Sequence, residues 1–392
     1  MAKADTSVKY FHSAMPGAPV LNGTAGSLIA ILDACLVNGF GLKTVDSLVV
    51  AGNVATANIS TGHSAEKDTV VLIAGATPAE LNGEWKVAST TTTTITFVTA
   101  GILDQTAAGT ITLKLAPAGW AKPFSGTNLA AYKPTDVTAT GCLLRVDDTL
   151  AKTARLVGYE TMSDVNTGTG PFPTVAQKSG GVWWSKSNAA DASSRPWVLV
   201  SDGRFFYSGR AHYPAFATNG NGYELAVFGD FLPTKSSDPF GATLTGQAAD
   251  TSSADPVILN NYWYSAPTTT TDDLYIARSY TGLGSSIRLV RTMPSLLATT
   301  INWTSGGFGG PYPNPPDGGL YVVPHFLFEG TTLIFRGTSP GFYGCPQVVP
   351  TGSFAARDSV TGVTGLPGKT LKALTCTSSG GVCFFDITGP WR

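Results

Sequence analysis

The 392-residue chain carries 25 Lys and Arg against 26 Asp and Glu, so only 13% of it is charged, where a soluble domain typically has roughly 25%. A net charge of −1 supplies no basic face to displace counterions from phosphates, which excludes non-specific nucleic-acid binding. Hydrophobic residues make up 43%, which excludes wholesale disorder, and the length predicts two or three domains at about 150 residues each.

In place of charge the chain has 45 Gly, 25 Pro and long stretches of Thr and Ser. Such a surface is polar but nearly uncharged, with little repulsion between copies, and suits an assembly. Residues 1–23 read as an extended arm punctuated by Pro16, Gly17, Pro19 and Gly23. The arm lacks the apolar stretch of a secretory signal, so folding in a cytosol is expected. The longest apolar run, Leu28 to Val37, is shorter than the ~20 residues of a membrane span, and no span is expected.

Thr24 to Gly39 predicts one helix, with Thr24 or Ser27 as its N-cap and Gly39 as a left-handed stop. Its apolar residues nearly encircle it, so it needs cover on most sides. The chain's own sheet or a neighbouring subunit would supply that cover. Tyr10 and Phe11 of the arm, with Leu28, Ile31, Leu32 and Leu36 of the helix, are therefore candidate subunit contacts. Residues 1–42 form an N-terminal arm and helix in this reading, anchoring the protein.

Residues 43–115 form a distinct block of short, alternating runs rich in Val, Ile and Thr. These are SLVVAGNVATANI, DTVVLIAG, GEWKVAS, TTTTITFVT and GTITLKL. Turn signals at Ala51-Gly52-Asn53, Gly75-Ala76-Thr77-Pro78 and Asn82-Gly83 separate them. The pattern predicts a small β-sandwich or barrel, with the sandwich favoured. An Ig-like fold is one form of it, although the Cys…Trp…Cys signature is missing. Pro117, Gly119 and Pro123 mark a linker, and 116–392 then reads as an all-β main domain. Its runs include LLRVDD, ARLVGYE, WVLVSDGRFFYSG, ELAVFGDFL, LYVVPHFLF and CFFDITG, with long loops at 164–178 and 303–320. The predicted class is mainly β: an all-β core with an inserted sandwich module and one N-terminal apolar helix.

Little in the chain points to chemistry. His12, His63, His212 and His325 lie apart, without the close spacing of metal ligands. His63 reads as a surface loop residue and His325 as a half-buried strand residue. Cys35, Cys142, Cys345, Cys376 and Cys383 form an odd set without zinc spacing, and only Cys376 and Cys383 are placed to pair across a hairpin. Asp147-Asp148 and Asp272-Asp273 are adjacent pairs, and neighbours on a strand point to opposite faces. The glycine-rich stretch from Asp164 to Gly170 lacks the bidentate acid of a calcium loop. Nucleophile-elbow, Walker and dinucleotide motifs are missing, so no catalytic residue, cofactor or metal is expected. Trp183, Trp184, Tyr262, Trp263 and Tyr264 are candidate surface-binding aromatics, because exposed rings stack on sugars or pack on partners. Alternation along a strand turns part of each cluster into the core.

Several segments carry a family resemblance: KYFHSAMPGAPVLNGTAGSLIAILDACLVNGFG at 9–41, APAGWAKPFSGTNLAAYK at 116–133, LLRVDDT at 143–149, GYETMSDVNTGTGPFP at 158–173 and FFDITGPWR at 384–392. In these the chain resembles structural proteins of tailed bacteriophages. GHSAEKDTVVLIAGATPAELNGEWKV resembles a small β module inserted in phage tail and decoration proteins. The resemblance implies a virion location and multiple copies, but carries no catalytic residues. The expected partners are copies of the chain, other virion proteins and, at adsorption, a host surface glycan. The tail tip, baseplate or fibre-attachment region is the favoured place, with the N-terminal arm as anchor and the 43–115 module projecting. Head decoration and glycan-binding adsorption are the alternatives.

Overall fold

A computed structural model describes residues 3–211, 213–214, 223–236, 238–247, 249–250, 272–292, 310–330, 334–350, 352–375 and 382–392. The chain is mainly β, with two antiparallel strand networks and one short helix. Among the described residues no helix is long and apolar enough to cross a membrane.

The smaller network has eight strands, ordered Phe40–Thr44, Thr112–Leu115, Val70–Ala74, Gly83–Thr90, Thr94–Val98, Val54–Asn58, Ser47–Ala51 and Gln105–Thr106. Alternation sets its faces: Leu48 and Val50 are buried while Val49 and Ala51 are exposed. Gly52 (φ 58°) and Asn53 (φ 64°) form the two-residue turn between Ser47–Ala51 and Val54–Asn58. Positive φ at both positions matches the right-handed twist of the flanking strands. Gly83–Thr90 pairs with Val70–Ala74 by its first half and with Thr94–Val98 by its second, with a register shift between Val87 and Ser89. That irregularity bends the sheet over its own core, where Trp85 stacks on Phe97 at 4.9 Å.

The larger network joins nineteen strands among the described residues. Strand Phe205–Arg210 lies at its centre and is buried throughout. Phe206 meets Trp120 and Trp184 on one face, at 5.4 and 6.2 Å. Tyr207 meets Phe385, Phe342 and Trp391 on the other, at 5.0 to 5.8 Å. A strand covered on both faces shows no apolar–polar alternation.

The N-terminal arm is built into this body. Lys9–His12 pairs antiparallel with Trp197–Ser201, and all four of its residues are buried. The helix expected over Thr24 to Gly39 is found as a short α-helix, Ser27–Leu32, that continues into a π-helical turn, Asp33–Asn38. The expected cap is different. Neither Thr24 nor Ser27 caps the helix; Gly26 (φ 81°) precedes it, and the carboxylate of Asp148 accepts from the amides of Leu28 and Ile29 at 2.8 and 3.1 Å.

Tyr10, Phe11, Leu28, Ile31, Leu32 and Leu36 each keep 3% exposure or less. They sit in one apolar cluster that contains residues of both networks, from Leu48 and Trp85 to Phe206 and Phe385. Of the two coverings open to the helix, this chain's own sheets supply the one observed. The reading of these six residues as subunit contacts is corrected: no surface of theirs is free for a neighbour.

The module does not project freely either. It begins at Phe40, whose ring lies 5.8 Å from Phe11. Ser64 Oγ donates to the carbonyl of Pro16, and Lys9 pairs with Glu84 at 2.7 Å. Arm, module and main body share one core.

Candidate functional site

Charged side chains are scarce here, and many of those present are buried and paired. Lys186 and Asp148 have fully buried side chains. Lys186 Nζ donates to Asp148 Oδ1, to the carbonyl of Thr24 at 2.9 Å and to that of Leu150 at 2.8 Å. Its three N–H groups thus have three acceptors. Asp148 Oδ2 holds the first turn of the helix. Burial pushes the Asp148 carboxyl up and the Lys186 amine down, and each opposes the shift of the other. The pair ties residues 24–29 to the strand Leu143–Asp147 and to the segment after Val182–Ser185.

A second buried pair joins Arg210 Nη2 to Glu224 Oε1 at 2.7 Å. Arg210 Nε also donates to the carbonyl of Ser185, and its guanidinium lies 4.3 Å from the ring centre of Trp184. A third group centres on Arg336, which contacts Glu329 and Asp238, both at 2.5 Å.

Polar contacts also cross the seam between module and main body. His12 Nδ1 accepts from the amide of Ala14 at 3.2 Å and from Arg357 Nη1 at 3.0 Å. That assigns the ring proton to Nε2, which lies 2.9 Å from Glu66 of the module. The contact with His12 holds the Glu66 carboxyl below its usual range. Lys86, also from the module, donates to the carbonyls of Ile387 and Thr388.

Burial lowers the Lys86 amine to about 8. A lysine that loses its proton more easily in the folded state makes folding more favourable as pH rises from about 8 to about 10.4. The expected result is a parent chain that gains up to ~3 kcal/mol over that window relative to Lys86→Met. Urea unfolding of both proteins at several pH values measures it. Parallel pH profiles would contradict it.

The residues singled out in the sequence separate. Trp184 is fully buried, its indole N–H on the carbonyl of Thr245 at 2.6 Å. Trp183 is half-buried, with the guanidinium of Arg155 over its ring at 3.9 Å. One residue of this cluster faces the core, as alternation requires. Tyr262, Trp263, Tyr264, His212 and Cys376 lie outside the described residues. The side chains of Asp272 and Asp273 lie outside them as well. Asp147 and Asp148 diverge: the first keeps 29% side-chain exposure and the second none.

His63 is partly buried, its Nε2 within 2.9 and 3.2 Å of the carbonyl oxygens of Thr91 and Thr94. His325 is more buried than expected, at 1% exposure, with Nδ1 3.1 Å from Ser339 Oγ. Asp164 Oδ1 accepts from the amides of Asn166 and Thr167, which closes its loop as an Asx turn. Burial pushes the thiols of Cys142 and Cys345 up to about 12 and about 11, so neither is a thiolate at neutral pH. Among the described residues no group of three or more His, Cys, Asp or Glu is placed to hold a metal.

The structure adds a cavity that no motif signals. It has a volume of about 570 Å³ and opens where the loop 136–141, the turn before Phe205–Arg210, the segments 230–233 and 238–241, and Arg392 converge. Its wall holds Arg204 and Arg392 beside Asp230 and Asp238. These residues come from segments far apart in sequence, so no spacing rule brings them together. Compared with known proteins, the chain matches no family model and no curated protein.

Proposed function

We propose that the chain is a non-enzymatic structural protein of a tailed-phage virion, repeated around the tail. The observation that carries this reading is the spatial grouping of the segments with the family resemblance. Asp148 of the segment 143–149 caps the helix of 9–41. From 116–133, Lys122 Nζ and Tyr132 Oη both reach Asp33 of the helical segment, at 2.6 and 2.8 Å. Strand Leu143–Asp147 pairs with Thr153–Met162, which pairs with Gly168–Phe172 of 158–173. Resemblance confined to a reactive centre would mark chemistry; here it follows the joints of the body.

The buried ion pairs support the same reading, because they fix strands and segments of one chain to each other, Lys186–Asp148 across separate segments and Arg210–Glu224 across neighbouring strands, and so make it a rigid part. Neighbouring virion proteins then meet the exposed loops, and the N-terminal segment serves the chain's own core. Gold-labelled antibody against the chain, applied to purified particles, tests the proposal. Label on the tail is the expected result. Label on the capsid would favour head decoration instead, and unlabelled, intact particles would overturn the virion reading.

A further inference from the structure

The cavity beside Arg204 and Arg392 is walled by groups already fixed in place. Arg204 donates through Nη1 to Thr138 Oγ1 at 2.9 Å, and through Nε and Nη2 to Asp230 Oδ2 at 3.4 and 3.3 Å. Arg392 donates through Nε to Asp202 at 2.8 Å and through Nη2 to the carbonyl of Asp230 at 2.6 Å. Its Nη1 makes no hydrogen bond among the described residues, which leaves two N–H donors on a guanidinium whose plane is set. Asp230, at 3% side-chain exposure, is itself held by the amide and hydroxyl of Thr140, at 2.8 and 2.6 Å. Asp238 is held by Arg336.

Two physical consequences follow from that arrangement. First, the wall carries no excess of positive charge, since Arg204 stands against Asp230, Arg392 against Asp202, and Arg336 against both Asp238 and Glu329. A multiply charged anion gains no net attraction there. Second, fixed donors and acceptors line the cavity together with the apolar Phe231, Leu232 and Pro239. A pyranose ring has the complementary form, with hydroxyls at its edge and C–H groups on its face. The volume lies within the ~300–1,000 Å³ usual for small-ligand sites. Groups held before binding lose little freedom on binding, which favours affinity.

We propose that this cavity binds an uncharged saccharide unit. The inference goes beyond the virion reading and does not depend on it, because the site lies within one isolated chain. It also differs from the aromatic clusters named from the sequence.

The test uses the purified full chain on a printed array of neutral and acidic bacterial oligosaccharides, followed by calorimetric titration of any that bind. Retention of neutral members is expected. Ala139→Trp fills the cavity from a side chain that makes no bond, and Arg392→Ala removes the unengaged donors. Each is expected to weaken binding at least about tenfold. Leu103→Ser, at an exposed position outside the cavity, is expected to leave binding unchanged. The melting temperature of each variant confirms folding, and the two substitutions perturb different neighbours, so one remains informative if the other fails to fold. No retention of any neutral saccharide, retention of acidic ones only, or parent-like binding by a folded Ala139→Trp or Arg392→Ala would overturn the proposal.

Discussion

Lys186→Met is expected to cost about 3–5 kcal/mol of folding stability, the usual loss when one partner of a buried ion pair is removed. The substitution strands the Asp148 carboxylate in a fully buried position, with only the helix amides as partners. It also takes the donor from the carbonyls of Thr24 and Leu150. Asp148→Leu is expected to cost at least as much, because it strands the ammonium and uncaps the helix together. The double change Lys186→Met with Asp148→Leu removes both charges, and its cost is expected to fall well short of the sum of the single losses. Urea unfolding of the four proteins gives the comparison. A single-variant loss below about 1 kcal/mol would place the pair among weak surface bridges, contrary to its burial.

Arg210→Met is expected to have a similar effect, again about 3–5 kcal/mol. Glu224 has a side-chain exposure of 2%, and its charge would lose the guanidinium at 2.7 Å. Trp184 would lose the cation over its ring. Burial already pushes the Glu224 carboxyl up, and Arg210 is the main force opposing that shift. Without Arg210 the carboxyl rises further. The folded variant then binds a proton more tightly than the unfolded chain does, so its stability falls as pH rises past the ordinary glutamate value of about 4.3. The deficit against the parent should therefore be smaller near pH 5 than near pH 8. Denaturant midpoints at both values measure it, and an equal deficit at both would contradict the assignment of the loss to a stranded carboxylate.

The strands of the module were the most legible part of the sequence. Leu48 and Val50 alternate with the exposed Val49 and Ala51, Ile95 and Phe97 follow Thr94 and Thr96, and Gly52-Asn53 names its own turn. Helix Ser27–Leu32 was legible from its apolar residues. Its cap was not, because the capping carboxylate comes from Asp148, 120 residues away. The same gap in sequence hid what covers the helix. Apolar residues all round it require a surface, but only the folded chain says whose.

Strands Lys9–His12, Trp120–Gly126 and Leu129–Pro134 were also missed. The first lies in a Gly- and Pro-punctuated stretch, and its strand state depends on pairing with Trp197–Ser201. Of the site residues, Trp183 and Trp184 followed strand alternation. The cavity was illegible because Thr138, Arg204, Asp230 and Arg392 share no local pattern. Salt-bridge partners such as Arg210 and Glu224 were hidden as well, since a charge in a strand reads as surface until burial on both faces is known.

The low charge of this chain acquires a structural meaning from these pairs. With few ionisable groups overall, it still places Asp148, Lys186, Arg210, Glu224 and Asp230 in buried positions. Each lies at a joint between segments distant in sequence or between neighbouring strands. Such pairs favour one arrangement over its competitors, because any other packing strands a charge.

The shared core requires the arm and helix to be covered by their own chain. Amide hydrogen exchange in the isolated protein tests that directly. Slow exchange at Tyr10, Phe11, Leu28, Ile31 and Leu32, comparable with the central strand Phe205–Arg210, is the expected result. Rapid exchange at those amides while the central strand stays protected would show the N-terminal segment open for a neighbour and would contradict the account.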